Sequence, residues 1–171
     1  LLGNKALVFE SKPFRIYPQK SLFSHVLGQI DDNNIGISGI EKSLDRNLKN
    51  EELLDTSLHL TLDSNLQHLI RQELIKAQIS FGNIGSAAVL MNVDNGEILS
   101  LISLPDYDLN KRISIKEDFY TNKITLGVYE LGSVFKTFTV AAGLENKKIN
   151  PKTKFNNLEN SITCGKHKIT E

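Results

Sequence analysis

Cysteine, net charge and long apolar runs are the features that this sequence of 171 residues has little of. The single cysteine, Cys164, excludes an internal disulfide and any zinc site built from several cysteines. The 20 basic residues are matched by 20 acidic ones, so the composition does not indicate nucleic-acid binding, and we interpret the lysine-rich tail from Lys147 to Lys168 as a solvated surface, with a binding patch as the less favoured alternative. No signal peptide is visible, and every apolar run is far shorter than the ~20 residues that span a bilayer.

Metal and nucleotide sites are not indicated either. No histidine belongs to an H-E-x-x-H pattern, and no motif connects a histidine to Cys164, which we interpret as a bystander thiol. Gly127 and Gly132 have the spacing of a phosphate-binding loop, but Ser133 stands where that loop requires a lysine. We therefore predict no metal ion, no nucleotide and no other cofactor.

A Gly-Ser pair opens an apolar helical pattern between residues 129 and 145. Lys136 follows Ser133 by three residues, and positions i and i+3 share one face of a helix. A serine hydroxyl needs a neighbouring base before it can attack a carbonyl carbon, and a lysine held partly out of water can be that base. The spacing indicates a nucleophile and its base. The alternative is a chance S-x-x-K with a solvated lysine one turn after a helix-start serine.

The clearest local structure is predicted between residues 58 and 104. Asp63 is placed to cap a helix with one apolar stripe that ends at Phe81-Gly82. Two apolar strands, 86–93 and 98–103, lie on either side of a turn that contains Asn95-Gly96, the strongest short hairpin signal. Because both strands are apolar on both faces, we expect the hairpin to sit inside a larger sheet with covered faces.

The N-terminal part is predicted to be a separate, mainly extended module with one helix. Its polar connector ends near residue 57, and an alternating strand follows at Leu58–Leu62, so we divide the chain into domains 1–57 and 58–171. Further short strands are indicated at Lys5–Glu10 and Ser24–Ile30. The fold class is α+β.

Glu41 has two interpretations. It follows Ser38 by three residues, which is the spacing of a capping box at a helix start. The alternative is a buried ion pair with Arg15. Neither interpretation makes Glu41 catalytic.

Several stretches in a fixed order together resemble one family, the class B penicillin-binding proteins, and most closely its septal, cell-division type. These are the peptidoglycan D,D-transpeptidases of bacterial cell-wall synthesis. The stretches that carry the resemblance are Arg15-Ile16-Tyr17-Pro18, Gly36-Ile37-Ser38-Gly39-Ile40-Glu41, Leu60-Thr61-Leu62-Asp63 with Leu66-Gln67, Asp94 to Leu99, Leu104-Pro105 with Asp108 and Asn110, and Tyr129 to Lys136. Each is weak alone, but their common order makes the S-x-x-K interpretation strong.

The resemblance implies an N-terminal pedestal followed by the first part of a transpeptidase domain, a helix-sheet-helix sandwich. It implies that Ser133 is the nucleophile acylated by D-Ala-D-Ala peptides or by β-lactams, and that Lys136 is the general base. Arg15 and Glu41 match positions that hold the pedestal together. The implied partners are peptidoglycan stem peptides and, through the pedestal, a membrane glycan polymerase and division proteins. The implied location is the periplasmic face of the bacterial inner membrane.

Departures from the family pattern concern both single residues and whole motifs. Leu131 and Leu109 stand where the family usually has proline. No S-x-N occurs in the sequence, and neither Lys136-Thr137 nor Lys152-Thr153 is followed by the glycine of a K-T-G strand. We expect these motifs after Glu171 and a membrane anchor before Leu1. We also expect the segment alone to be inactive and to have bare apolar sheet faces.

Two other functions compete with the enzyme interpretation. The segment could serve as a non-catalytic docking module, since residues 1–57 carry no recognisable chemistry. It could also belong to a β-lactam sensor or hydrolase, although the pedestal-like stretches between residues 15 and 41 argue against a plain hydrolase.

Overall fold

The computed structural model describes residues 14–50, 56–111, 117–156 and 159–170. The fold is α+β, as the sequence predicts, and its contacts divide the chain into two compact units, with the boundary between Val128 and Tyr129. The predicted division at residues 57/58 stays a prediction. The elements are α1 (Ser24–Leu27), α2 (Gly39–Ser43), α3 (Asp45–Leu48), α4 (Ser64–Phe81), β1 (Ser86–Met91), β2 (Ile98–Leu104), α5 (Glu117–Tyr120), a 3₁₀ turn (Gly132–Phe135), α6 (Lys136–Glu145), β3 (Ser161–Cys164) and β4 (His167–Thr170).

Helix α4 begins and ends where its sequence predicts. The Asp63 carboxylate accepts hydrogen bonds from the N–H groups of Asn65 and Leu66, two of the donors that a helix start leaves unpaired. Gly82 ends the helix in the left-handed conformation, with a φ of 65°. No helix in the described part of the chain is long and apolar enough to cross a membrane.

Strands β1 and β2 form the predicted hairpin, with Val89 opposite Leu101. Strand β1 ends two residues earlier than predicted, because the Gly96 N–H donates to the Asn92 carbonyl at 2.9 Å and closes the turn there. Within the described residues the sheet has only these two strands, so the expected larger sheet is not formed. Buried side chains lie mainly on β2, whereas Val89 and Met91 of β1 are exposed. The bare apolar face that we expected is therefore present.

Gln67 of α4 is the most important buried polar residue, with 1% of its surface exposed. Its side-chain amide donates to the carbonyl oxygens of Leu22 at 2.9 Å and Leu101 at 2.8 Å. Its Oε1 accepts from the Ser100 hydroxyl at 2.8 Å and from the Leu101 N–H at 3.0 Å. One side chain thus joins α4 and β2 to the N-terminal segment, and all of its hydrogen-bonding groups are satisfied.

The ion pair between Arg15 and Glu41 is confirmed. Arg15 contacts both carboxylate oxygens at 3.1 Å, and the Tyr17 hydroxyl donates to the same carboxylate at 3.1 Å. The capping-box interpretation of Glu41 is wrong, since the Ser38 hydroxyl accepts a hydrogen bond from the Gln29 N–H and caps no helix. Glu41 is therefore a structural residue that anchors the start of the described chain.

Asn110 gives Tyr17 the hydrogen bonds that a neighbouring strand would normally supply. Its Oδ1 accepts from the Tyr17 N–H at 2.9 Å, and its Nδ2 donates to the Tyr17 carbonyl at 2.8 Å. The Tyr17 ring packs with Tyr107 and Leu109 in the apolar core. A leucine at position 109, where the related pattern has proline, is therefore a core residue.

Three predictions of local structure need correction. Residues 14–50 contain three short helices rather than one. Ser24–Leu27 is helical, not a strand, and Gly28 ends the helix with a φ of 77° in a place where a Cβ would collide with the Ser38 carbonyl. Leu58–Leu62 is irregular, because it is held to β2 by the Thr61 hydroxyl and the Asp63 N–H rather than by a ladder. The predicted strand Lys5–Glu10 lies outside the described residues.

Arg71 and Asp106 fix α4 to the loop after β2. The guanidinium binds both carboxylate oxygens of Asp106, at 2.6 and 3.0 Å, and both side chains are largely buried. Hydrogen bonding to this carboxylate raises the pKa of Arg71 above its usual value. Two-point binding of this kind defines the direction of the loop as well as its position.

His25 lies on α1 and is half-buried against α5. Its Nε2 donates to the Phe119 carbonyl at 2.8 Å, and its ring meets the edge of Tyr107 at 5.4 Å. Burial lowers the pKa of His25 below 6.5, although the bond to Phe119 and the charge of Asp106 act in the opposite direction.

We expect His25 to make the protein less stable in mild acid. Between the lowered pKa and 6.5 the unfolded chain binds more protons than the folded chain, so the free energy of unfolding falls as the pH falls through that window. Urea unfolding of wild type and His25→Gln at pH 7.5 and 5.5 measures this slope. The slope should be smaller in His25→Gln and unchanged in His68→Gln, whose side chain is exposed. Equal slopes in all three proteins would contradict the assignment.

The second unit contains the helical run from Gly132 and a small hairpin. Asn146 follows the last residue of α6, as predicted, and its side-chain amide donates to the Ala142 carbonyl at 2.8 Å. Strands β3 and β4 pair antiparallel through a turn at Gly165, whose φ is 61°. Cys164, at the end of β3, is free and exposed.

Candidate active site

Ser133 lies in a 3₁₀ turn that starts the helical run of the second unit. Gly132 precedes it with a φ of 55°, a conformation that costs a residue with a side chain about 1–2 kcal/mol. A Cβ at Gly132 would meet no atom within 4 Å, so this backbone conformation, and not lack of space, is what favours glycine. The glycine turns the chain sharply into the helix and places Ser133 in its first turn.

Lys136 is the first residue of α6, one 3₁₀ turn after Ser133. The Lys136 N–H donates to the carbonyl of Ser133, which is the i to i+3 bond of that turn. In 3₁₀ geometry the side chains at i and i+3 eclipse each other, whereas in an α-helix they are offset. The predicted helix is confirmed, and its tighter first turn places the two side chains on one side of the backbone. Their chemical roles stay a prediction.

The start of this helical run is electrostatically suited to developing negative charge. The first N–H groups of a helix have no acceptor within it, and the helix dipole is positive at that end. Ser133 lies there, so its own N–H is a candidate donor to an oxyanion. Asn146 and the turn after it close the other end of α6, since the N–H groups of Lys148 and Ile149 donate to the Gly143 carbonyl.

The surroundings of Ser133 and Lys136 are open. Both residues are exposed, and the neighbouring Val134 and Phe138 are 66% and 61% exposed. The rings of Phe135 and Phe138 contact each other with centroids 5.6 Å apart. If Ser133 is a nucleophile, as the sequence predicts, it needs further protein around it, because acyl transfer depends on a water-excluded, preorganised site.

Sequence reasoning located the serine and lysine but missed two buried polar residues of the first unit. Gln67 was visible only as part of a motif, and nothing in its spacing predicted four hydrogen bonds. Tyr107 lies in the loop after β2, yet it is 6% exposed. Among the described residues, no group of three or more histidine, cysteine, aspartate or glutamate side chains is arranged to hold a metal ion.

Comparison with protein-family models gives a match to the penicillin binding protein transpeptidase domain over residues 86–171, which includes Ser133 and Lys136. Among curated relatives, a probable peptidoglycan D,D-transpeptidase FtsI from Caulobacter vibrioides is 36% identical over 145 residues, 84% of this chain and 25% of that protein. Stage V sporulation protein D from Bacillus subtilis is 33% identical over 176 residues, 88% of this chain and 27% of that protein. The chain thus spans about a quarter of these relatives.

Solved structures of penicillin-binding proteins also match this chain. Penicillin-binding protein 3 from Mycobacterium tuberculosis matches with a TM-score of 0.75 and 25% identity, over 92% of this chain and 37% of that one. The same protein was solved in complex with aztreonam and with ampicillin. A peptidoglycan synthetase from Bifidobacterium adolescentis matches with a TM-score of 0.73 at 16% identity, which supports the fold alone.

Proposed function

Because the chain belongs to the penicillin-binding protein transpeptidase family, we propose that it is the nucleophile-bearing part of a serine D,D-transpeptidase that crosslinks peptidoglycan. The observation that carries the proposal is the position of Ser133 and Lys136, one 3₁₀ turn apart at the start of a helix within the matched region. Relatives named as peptidoglycan D,D-transpeptidases support the substrate class. A role in cell division is the specific form that we favour.

The proposed chemistry is acyl transfer through Ser133. The Ser133 Oγ attacks the carbonyl carbon of a D-Ala-D-Ala amide while the neutral Lys136 Nζ accepts the hydroxyl proton. The carbon–nitrogen bond then breaks, and the departing D-alanine amine takes a proton. An amine of a second stem peptide attacks the resulting ester, which forms the crosslink and returns the serine. A β-lactam would acylate the same oxygen when its ring opens.

The described residues supply only part of such a site. They offer one candidate oxyanion donor, the Ser133 N–H, and the sequence contains neither S-x-N nor K-T-G. Loss of a single oxyanion donor can cost about 10²–10³ in rate, so a site with this half alone should react very slowly. We propose that the 171-residue chain is inactive by itself.

Covalent labelling by a fluorescent penicillin tests both proposals. We expect no stoichiometric labelling of the 171-residue chain and labelling at Ser133 in the longer polypeptide of the same reading frame. Peptide mass mapping identifies the acylated residue. Stoichiometric labelling of the short chain would disprove its inactivity, and a longer polypeptide with all motifs that stays unlabelled would disprove the enzyme proposal.

The partners and location follow from the substrate. Peptidoglycan is assembled outside the cytoplasmic membrane, so we place the protein at the periplasmic face of the bacterial inner membrane.

Docking of a membrane glycan polymerase or division proteins is the second candidate function. Exposed apolar side chains in the N-terminal part favour it: Phe14, Ile16, Ile35 and Ile37. Binding to such a partner without any penicillin labelling would favour docking over catalysis.

A further inference from the structure

A cleft of about 460 Å³ lies in the first unit, between helices α1 and α2 and the chain from Tyr120 to Leu126. This volume is within the range of small-molecule sites, about 300–1,000 Å³. Part of the wall is apolar, formed by Val26, Ile37, Ile40, Leu101 and Leu126. It is formed entirely by residues that the proposed acyl transfer does not use.

The charge of the cleft has one sign. Lys42 lines it, and no aspartate or glutamate is among the described residues of its wall. The structure shows no hydrogen bond or ion pair between the Lys42 amine and any other described residue. The nearest acidic residue in sequence, Glu41, is already bound to Arg15 and Tyr17. A positive charge that is not paired with a carboxylate favours an anionic ligand.

Tyr107 provides a second and independent observation. It lines the cleft and is only 6% exposed, yet its hydroxyl has no hydrogen-bond partner among the described residues. Its ring is held in place by Tyr120 at 4.9 Å and by His25 at 5.4 Å. Burial, with the neighbouring Tyr120 as a smaller cause, raises the pKa of Tyr107 to about 12, so this hydroxyl stays protonated and can donate. No side-chain oxygen or nitrogen of the described residues is both buried and unpaired, so this hydroxyl is open to water and available to a ligand.

We propose that this cleft binds a small ligand with an acidic group and an apolar body. The acidic group would accept hydrogen bonds from Lys42 and from the Tyr107 hydroxyl, while the apolar body would pack on Val26 and Leu126. Such a ligand would pair with the accessible hydroxyl and cover apolar surface with one molecule. The proposal does not depend on the proposed transpeptidase activity.

Two probes of equal shape test the charge requirement: 4-phenylbutyrate and its neutral amide, 4-phenylbutyramide. The sequence has four tyrosines, of which Tyr107 and Tyr120 line the cleft whereas Tyr17 and Tyr129 do not. Labelling the 171-residue chain with 3-fluorotyrosine therefore gives fluorine NMR signals inside and outside the site in one sample. Tyrosine-to-phenylalanine variants assign the signals.

We expect the carboxylate to shift the Tyr107 and Tyr120 signals saturably and to leave the Tyr129 signal unchanged. The amide should bind at least about tenfold more weakly than the carboxylate. Added salt should lower the affinity of the carboxylate but not that of the amide. Lys42→Gln should remove the difference between the two probes, and Lys76→Gln, which changes an exposed lysine on α4, should preserve it. Tyr107→Phe keeps the ring but removes the hydroxyl, and it should lower the affinity for the carboxylate severalfold.

Three results would overturn the proposal. The first is equal affinity of the carboxylate and the amide in wild type, which requires no variant and no assumption about folding. The second is absence of any saturable shift at Tyr107 and Tyr120. The third is a carboxylate preference that Lys42→Gln leaves intact.

Discussion

Replacing Ser133 with alanine is expected to reduce covalent penicillin labelling of the longer polypeptide by more than about a thousandfold, since the proposed acyl bond forms on the Ser133 hydroxyl oxygen. Lys136→Arg is the sharper variant. Arginine keeps the positive charge but does not lose its proton at any ordinary pH, so it cannot act as a base. Labelling in Lys136→Arg should fall by about 10²–10⁴, the usual contribution of a general base.

Time courses of labelling at several penicillin concentrations give the second-order rate constant. Ser80→Ala, an exposed serine on α4, and Lys152→Arg, an exposed lysine after α6, are the matched controls and should label at the wild-type rate. Circular dichroism confirms that each variant is folded. Normal labelling of Ser133→Ala would place the nucleophile elsewhere, and normal labelling of Lys136→Arg would assign the proton transfer to another group.

Gln67→Met is expected to lower the free energy of unfolding by about 3–5 kcal/mol, which is a large share of the stability of an ordinary domain. Methionine has a similar volume but cannot hydrogen-bond to the Ser100 hydroxyl or the Leu101 N–H, and it leaves the Leu22 and Leu101 carbonyls without their donor. The cost comes from leaving buried polar groups unpaired, not from a cavity.

Urea unfolding followed by far-ultraviolet circular dichroism measures this loss, because the chain contains no tryptophan to report by fluorescence. Gln72→Met is the control: it makes the same change one turn or so along α4 at an exposed position and should alter stability by less than about 0.5 kcal/mol. If Gln67→Met is already unfolded without urea, the loss of free energy of unfolding is measured only as a lower limit. Equal midpoints for the two variants would disprove the role of Gln67.

The parts of the fold that the sequence predicted well are those with local causes. The Asp63 cap, the Gly82 end of α4 and the turn near Gly96 each depend on a few neighbouring residues, and all three are present. The start of the helix at Ser133 is another example, because a glycine with positive φ and an apolar run define it.

The predictions that failed concern hydrogen bonds between distant parts of the chain. Leu58–Leu62 alternates like a strand, but the Thr61 hydroxyl and the Asp63 N–H bind carbonyls at the start of β2 and prevent a regular ladder. Ser38 has the spacing of a cap, yet its hydroxyl is taken by Gln29. Local propensity is a weak guide when a tertiary partner competes for the same polar atom.

The two candidate sites also differ in whether their causes are local or depend on distant residues. The positions of Ser133 and Lys136 follow from three residues of separation and a helix start, so the sequence alone was enough to locate them. The cleft lined by Lys42 and Tyr107 could not be foreseen, because it joins residues that lie 65 positions apart, at 42 and 107. Only the folded chain brings a solvated lysine and a buried phenol to one wall.

The two hydrogen bonds between Tyr17 and Asn110 have a consequence for how the chain is made. They join residues 93 positions apart, so neither bond can form until residue 110 has left the ribosome. Until then Arg15, Glu41 and Tyr17 can form their own cluster, but the N-terminal segment lacks its two bonds to Asn110. A ribosome-bound chain that ends before residue 110 should therefore be cut readily by proteases near Tyr17, and extending it past that residue should protect the same bonds.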